Sequence, residues 1–99
     1  MDRWSLLVIQ TLETRGRTRF GTLREAIPDV SPKVLSGTLQ RLQTLGLLHR
    51  FVHAEAPPRV EYKLTPAGAA LAAALVPLVD WAQGRKGLTE PETPRDEGS

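Results

Sequence analysis

Cysteine is absent from the 99 residues. That excludes a disulfide framework, a thiolate zinc site and thiol-based redox sensing. Aromatic residues are scarce. Two Trp, two Phe and one Tyr are too few to line a large cofactor pocket. Long apolar runs are missing as well: no stretch approaches the ~20 residues that a membrane-spanning helix needs. The apolar run within MDRWSLLVIQTLE is broken by acids at both ends. No small-residue cleavage site follows it, so it does not read as a secretion signal. A cytoplasmic protein with no membrane partner is expected. There is also no Gly-rich phosphate loop, no carboxylate cluster and no nucleophile–base pair with an orienting third residue, so no enzyme is expected. His49 and His53 stand without Cys or clustered acids and do not make a metal site. No cofactor is expected.

What remains is one domain's length of ordinary globular composition, 40% hydrophobic and 24% charged. A core of this size buries roughly 60–70% of the unfolded surface, so a partner surface would add stability. The net charge of +2 is unevenly spread. Residues 15–41 hold Arg15, Arg17, Arg19, Arg24, Lys33 and Arg41 against Glu25 and Asp29, while the last fifteen residues are slightly acidic. A concentrated basic region on a near-neutral body fits a polyanion partner, but also a merely solvated surface.

Hydrophobic spacing predicts a first helix over 3–14, carrying Trp4, Leu6, Leu7, Ile9 and Leu12. Gly16 suits the position after its end. Thr18 and Phe20 read as a very short strand, and GTLREAI as a second helix that Pro28 stops. A third helix follows, with Ser31 as N-cap, Pro32 at the first helical position and Gly46 past its end. LLHRFVHA and VEYKL read as a hairpin whose tip is stiffened by Pro57 and Pro58. Thr65 and Pro66 open a last helix, with a stripe of Leu71, Leu75, Leu78 and Val79 and a kink expected at Pro77. From Gly84 the composition turns polar, so the domain is expected over 1–83 and a disordered tail over 84–99. The order helix, strand, helix, helix, strand, strand, helix describes a mainly α protein with a small β-hairpin (α+β), a winged helix-turn-helix.

The third helix is sorted. Lys33, Ser36, Gly37, Gln40, Arg41, Gln43 and Thr44 fall on one half of the wheel. Val34, Leu35, Leu39, Leu42 and Leu45 fall on the other, with Thr38 among them. No acid lies anywhere in it. Gln40 can offer a donor–acceptor pair to adenine, and Arg41 can reach guanine or a phosphate. Gly37 costs about 1 kcal/mol against Ala in a helix interior, so close approach of another molecule is a reason for it. Ser31, Lys33, Ser36, Gly37, Gln40, Arg41 and Thr44 are therefore candidate DNA contacts, and the alternative is a polar side that is only solvated. Arg17, Thr18 and Arg19, between the first two helices, are candidate phosphate contacts. Arg59, behind the two prolines, suits a minor groove or its flanking phosphates. The alternatives are loop arginines that only keep the protein soluble and, for Arg59, a rim residue with no contact.

The segments RFGTLREAIPDVSPKVL, LQTLGL and above all PPRVEYKLTPAG resemble the HxlR-type winged helix-turn-helix transcriptional regulators of bacteria. The resemblance covers residues 4–82. It implies a homodimeric regulator, more often a repressor, with residues 31–45 as recognition helix and 47–64 as wing. It also implies a dimer interface on the first and last helices, here Trp4, Leu7, Leu71, Leu75, Leu78, Val79 and Trp81. Members commonly carry a cysteine-bearing segment ahead of the position of Trp4. Only Met1, Asp2 and Arg3 stand there, so regulation without a thiol is expected. Double-stranded DNA and a second copy are the expected partners, with room for a small-molecule effector that no residue announces. The competing reading is a winged-helix protein-interaction module without DNA binding.

Overall fold

The computed structural model describes residues 2–88. Four helices and a small sheet follow in the expected order: α1 (Arg3–Arg15), β1 (Thr18–Arg19), α2 (Phe20–Ala26), α3 (Pro32–Thr44), β2 (Leu48–His53), β3 (Arg59–Leu64) and α4 (Pro66–Leu88). The helix ends are set by local chemistry. Asp2 Oδ1 accepts the Ser5 N–H at 2.8 Å and starts α1; Gly16, at φ 78°, ends it. Ser31 Oγ accepts the Val34 N–H at 3.1 Å and starts α3. Gly46, at φ 78°, ends α3. There the Leu47 N–H reaches the Leu42 carbonyl and the Gly46 N–H reaches that of Gln43, both at 2.9 Å, which is the paired closure of a left-handed helix terminus.

The sheet is antiparallel with strand order β1-β3-β2. The hairpin runs in register from Leu48 opposite Leu64 to His53 opposite Arg59. The short strand joins its far edge, Thr18 opposite Tyr62 and Arg19 opposite Glu61. Phe20, expected in that strand, instead opens α2.

The core gathers Val8, Ile9 and Leu12 of α1, Leu23 and Ile27 after it, Leu35, Leu39 and Leu42 of α3, and Leu48 and Tyr62 of the sheet. α3 rests chiefly on α1 and β2. Two residues of its expected apolar half stay outside. Val34 in the first turn is 41% exposed and Leu45, the C-cap residue, 66%. Both sit at helix ends, beyond the neighbours that cover the middle.

α4 is seated on the turn after α3. Thr65 Oγ1 donates to the Gly46 carbonyl at 2.7 Å and accepts the Gly68 N–H at 3.0 Å. A Cβ at Gly68 would collide with the Leu47 carbonyl. α4 continues through Pro77 to Leu88, so the boundary expected at residue 83 falls inside a helix. The rest of the expected tail, 89–99, lies outside the described residues. Among the described residues no helix is long and apolar enough to cross a membrane, and no group of His, Asp and Glu is placed to hold a metal ion.

Candidate nucleic-acid interface

α3 presents the sorted surface. Leu35, Thr38, Leu39 and Leu42 are buried beneath it. Ser31, Lys33, Ser36, Gln40, Arg41 and Thr44 are exposed, with Gly37 half-buried between them. Ser31 is also engaged as the N-cap. A Cβ at Gly37 would meet only the Arg41 guanidinium, at 3.7 Å. Nothing among the described residues therefore requires that glycine, which lines a shallow depression of about 410 Å³ together with Gln40, Arg41, Thr44 and Leu45.

The arginines are less free than their sequence positions imply. Arg41 Nη2 donates to Asp2 Oδ2 at 2.9 Å and to Thr38 Oγ1 at 3.3 Å. Both partners of the Asp2 pair are half exposed, so the bond is readily exchanged. The Ser5 N–H, and behind it the Arg41 guanidinium, hold the Asp2 carboxyl below its usual value. Arg17 lies 3.8 Å above the Phe51 ring and its Nε donates to Glu61 Oε1 at 2.9 Å. Arg59 pairs with Glu55 at 3.1 Å and approaches Glu61 Oε2 at 3.8 Å. His53 Nε2 lies 2.8 Å from Glu61 Oε1.

Glu61 is thus the centre of a network drawn from two strands, β2 and β3, and the loop before β1. Its side chain is only 17% exposed. The His53 hydrogen bond first, then the Arg17 hydrogen bond and charge, with the Arg59 charge behind them, hold its carboxyl below the usual range against the effect of burial.

Thr18 leaves the candidate set. Its side chain is buried and its hydroxyl donates to the Gly16 carbonyl at 2.7 Å, because β1 docks on β3 with Thr18 turned toward the core beside Tyr62. Arg19 is exposed. Together with Arg50 it lines a groove of about 790 Å³ between the start of α2, Ser36 of α3 and the wing tip at Pro57 and Pro58. Neither Arg19 nor Arg50 makes an ion pair among the described residues. Arg50, Glu55, Glu61 and Asp2 were not among the sequence candidates. The signal for Arg50 was present. It alternates in phase with Leu48 and Val52 and stands opposite Tyr62, so a charged residue shares a strand face with apolar ones.

The HxlR-like helix-turn-helix family model matches residues 1–89. The chain belongs to this family. It is 39% identical over 82 residues to the HTH-type transcriptional regulator YtfH of Escherichia coli, covering 83% of this chain and 64% of that one. It is 42% identical over 81 residues to the HTH-type regulator YvaP of Bacillus subtilis, covering 81% of this chain and 73% of that one. Its fold matches the structure of the transcriptional regulator ytfH of Salmonella typhimurium with a TM-score of 0.83 at 36% identity, over 88% of this chain and 77% of the other. The chain thus spans a little under two thirds of the length of E. coli YtfH. The family is one of transcriptional regulators rather than enzymes.

In this HxlR-family chain the residues expected at a dimer interface divide into two groups. Trp4, Leu7, Leu71 and Leu75 are half-buried against the chain's own core. Leu78 and Trp81, further along α4, are 55% and 54% exposed. The side chain of Val79 lies outside the described residues.

Proposed function

We propose that the protein is a sequence-specific DNA-binding transcriptional regulator, a repressor that acts in the cytoplasm as a homodimer on a pseudo-palindromic operator. One observation carries this reading. α3, which carries no acid of its own, exposes Lys33, Ser36, Gln40, Arg41 and Thr44 on one face while its other face is sealed in the core. A surface helix so sorted suits the major groove, where Gln and Arg distinguish bases by donor–acceptor pattern, at about 1–3 kcal/mol per good bidentate contact. The wing places Arg59 and its two prolines at the flank, and Leu78 and Trp81 offer an apolar surface for a second copy. Two recognition helices then meet the duplex about one turn apart, ~34–36 Å.

Titration with operator DNA at several salt concentrations tests the reading. Affinity falls as salt rises, with ~0.9 added to the log–log slope for each neutralised phosphate; affinity indifferent to salt refutes it. The double variant Gln40→Ala/Arg41→Ala loses operator preference by about tenfold or more while remaining folded and dimeric. A protein-interaction module of the same fold would show no such change.

A further inference from the structure

We propose that Asp2 is a positioning residue for Arg41: its carboxylate holds the guanidinium along α3, so that Arg41 serves sequence discrimination rather than the capture of any nearby phosphate. The inference rests on the reading of α3 as a DNA-reading helix and names what aims one of its side chains.

The carboxylate is itself fixed. Asp2 stands at the N-cap of α1 in extended backbone, and its Oδ1 accepts the Ser5 N–H at 2.8 Å. With one oxygen held by the cap, the direction of the other is set. α1 packs on α3, and Asp2 Oδ2 accepts from Arg41 Nη2 at 2.9 Å. Nη2 also donates at 3.3 Å to Oγ1 of Thr38, a buried residue one turn back. Nη1 lies beside Gly37, 3.7 Å from where a Cβ there would stand. The guanidinium is therefore folded back over its own helix and anchored at one nitrogen. The N–H groups on Nη1 and Nε make no hydrogen bond among the described residues, so they remain for a base edge.

The charges point the same way. Lys33 and Arg41 are the cations of α3. Asp2 is the one acid that pairs with either of them among the described residues. A free arginine is drawn to backbone phosphate, a contact that carries no sequence information. The Asp2 carboxylate competes for that charge and repels a phosphate at the same flank. As an exposed pair it adds little to stability. Its effect is on direction: a guanidinium already ordered loses less freedom on meeting a base.

Asp2→Asn separates capping from pairing. Asn caps a helix as well as Asp does. With its oxygen on the Ser5 N–H, the atom facing Arg41 becomes an NH2 donor that cannot receive the guanidinium. Binding of the full chain is measured on two duplexes, one selected by the wild type from a random library and one of random sequence. Asp2→Asn lowers the affinity ratio between them by about fivefold or more. On the random duplex it steepens the slope of log affinity against log salt by ~0.9, as the released Arg41 takes a phosphate. Asp2→Ser, a second capping residue without a carboxylate, does the same. In an Arg41→Ala background neither substitution changes ratio or slope. Glu13→Gln is the charge control. It removes an acid that makes no ion pair among the described residues. That acid lies roughly 16 Å further along α1, beyond the Debye length of about 10 Å at 0.1 M salt, and ratio and slope stay as they were. Thermal unfolding checks that each variant is folded. An unchanged ratio or slope in both Asp2 variants, or an equal change in the Arg41→Ala background or in Glu13→Gln, overturns the positioning role and leaves the DNA-binding reading in place. Wild-type protein with no salt-dependent binding overturns both.

Discussion

Glu61 illustrates how one side chain reorganises its neighbours. Its carboxylate receives Arg17, stands within hydrogen-bond distance of His53 and draws in Arg59. Ionisation in the folded state is therefore favoured over ionisation in the unfolded chain. A carboxyl whose folded value is lowered contributes stability that is present above its unfolded value, about 4.3 for Glu, and lost as pH falls through and below it. Thermal unfolding followed from pH 7 down to pH 3 shows that loss in the wild type. Glu61→Gln is less stable at pH 7 and falls less steeply below pH 5. Equal acid slopes for the two proteins would show that the network carries no such linkage. The same residue explains why Arg17 and Arg59 are poorer phosphate ligands than their sequence positions imply. No short-range pattern could reveal this, because 44 positions separate Arg17 from Glu61.

Individual elements were more legible. The limits of α3 were readable from Ser31, Pro32 and Gly46, since caps act within a few residues of the chain they end. The sorting of its two faces was equally readable, because helical periodicity is local. The exposure of Val34 and Leu45 was not readable, because it depends on how far α1 and β2 extend along the helix. The seat of α4 belongs to this scale. Thr65 and Pro66 read as a helix start, yet Thr65 and Gly68 also lock α4 onto the turn that ends α3. Gly68→Ala forces a methyl group into the Leu47 carbonyl. It lowers stability by about 1–3 kcal/mol, which in a chain this size lowers the melting temperature by several degrees or more. Denaturant unfolding measures it directly. A variant as stable as wild type would show that α4 can shift off the turn freely.

At the scale of the whole molecule, α4 carries apolar side chains that remain more than half exposed beyond Leu75. Trp4, Leu7, Leu71 and Leu75 are taken up by the chain's own core, whereas Leu78 and Trp81 are not sealed by it. If those side chains join two copies, Leu78→Asp leaves the fold intact, because the residue is exposed, and shifts the protein toward monomer in sedimentation velocity by at least tenfold in dissociation constant. A charged group at an apolar interface without a partner costs enough to do so. Operator affinity falls with it, since two half-sites are no longer engaged together. Unaltered sedimentation would place the interface elsewhere.

The sequence by itself determined what acts over a few residues. It set the order of helices and strands, the caps at Ser31, Thr65 and the two positive-φ glycines, the hairpin with its proline tip, and an acid-free polar face on the third helix. The tertiary structure alone decided which charges are available. Docking β1 on β3 buried Thr18, brought Arg17 against Glu61 and Phe51, and left Arg19 and Arg50 without an ion pair among the described residues. Capping and periodicity arise from short-range backbone geometry, whereas an ion pair depends on where distant parts of the chain finally meet.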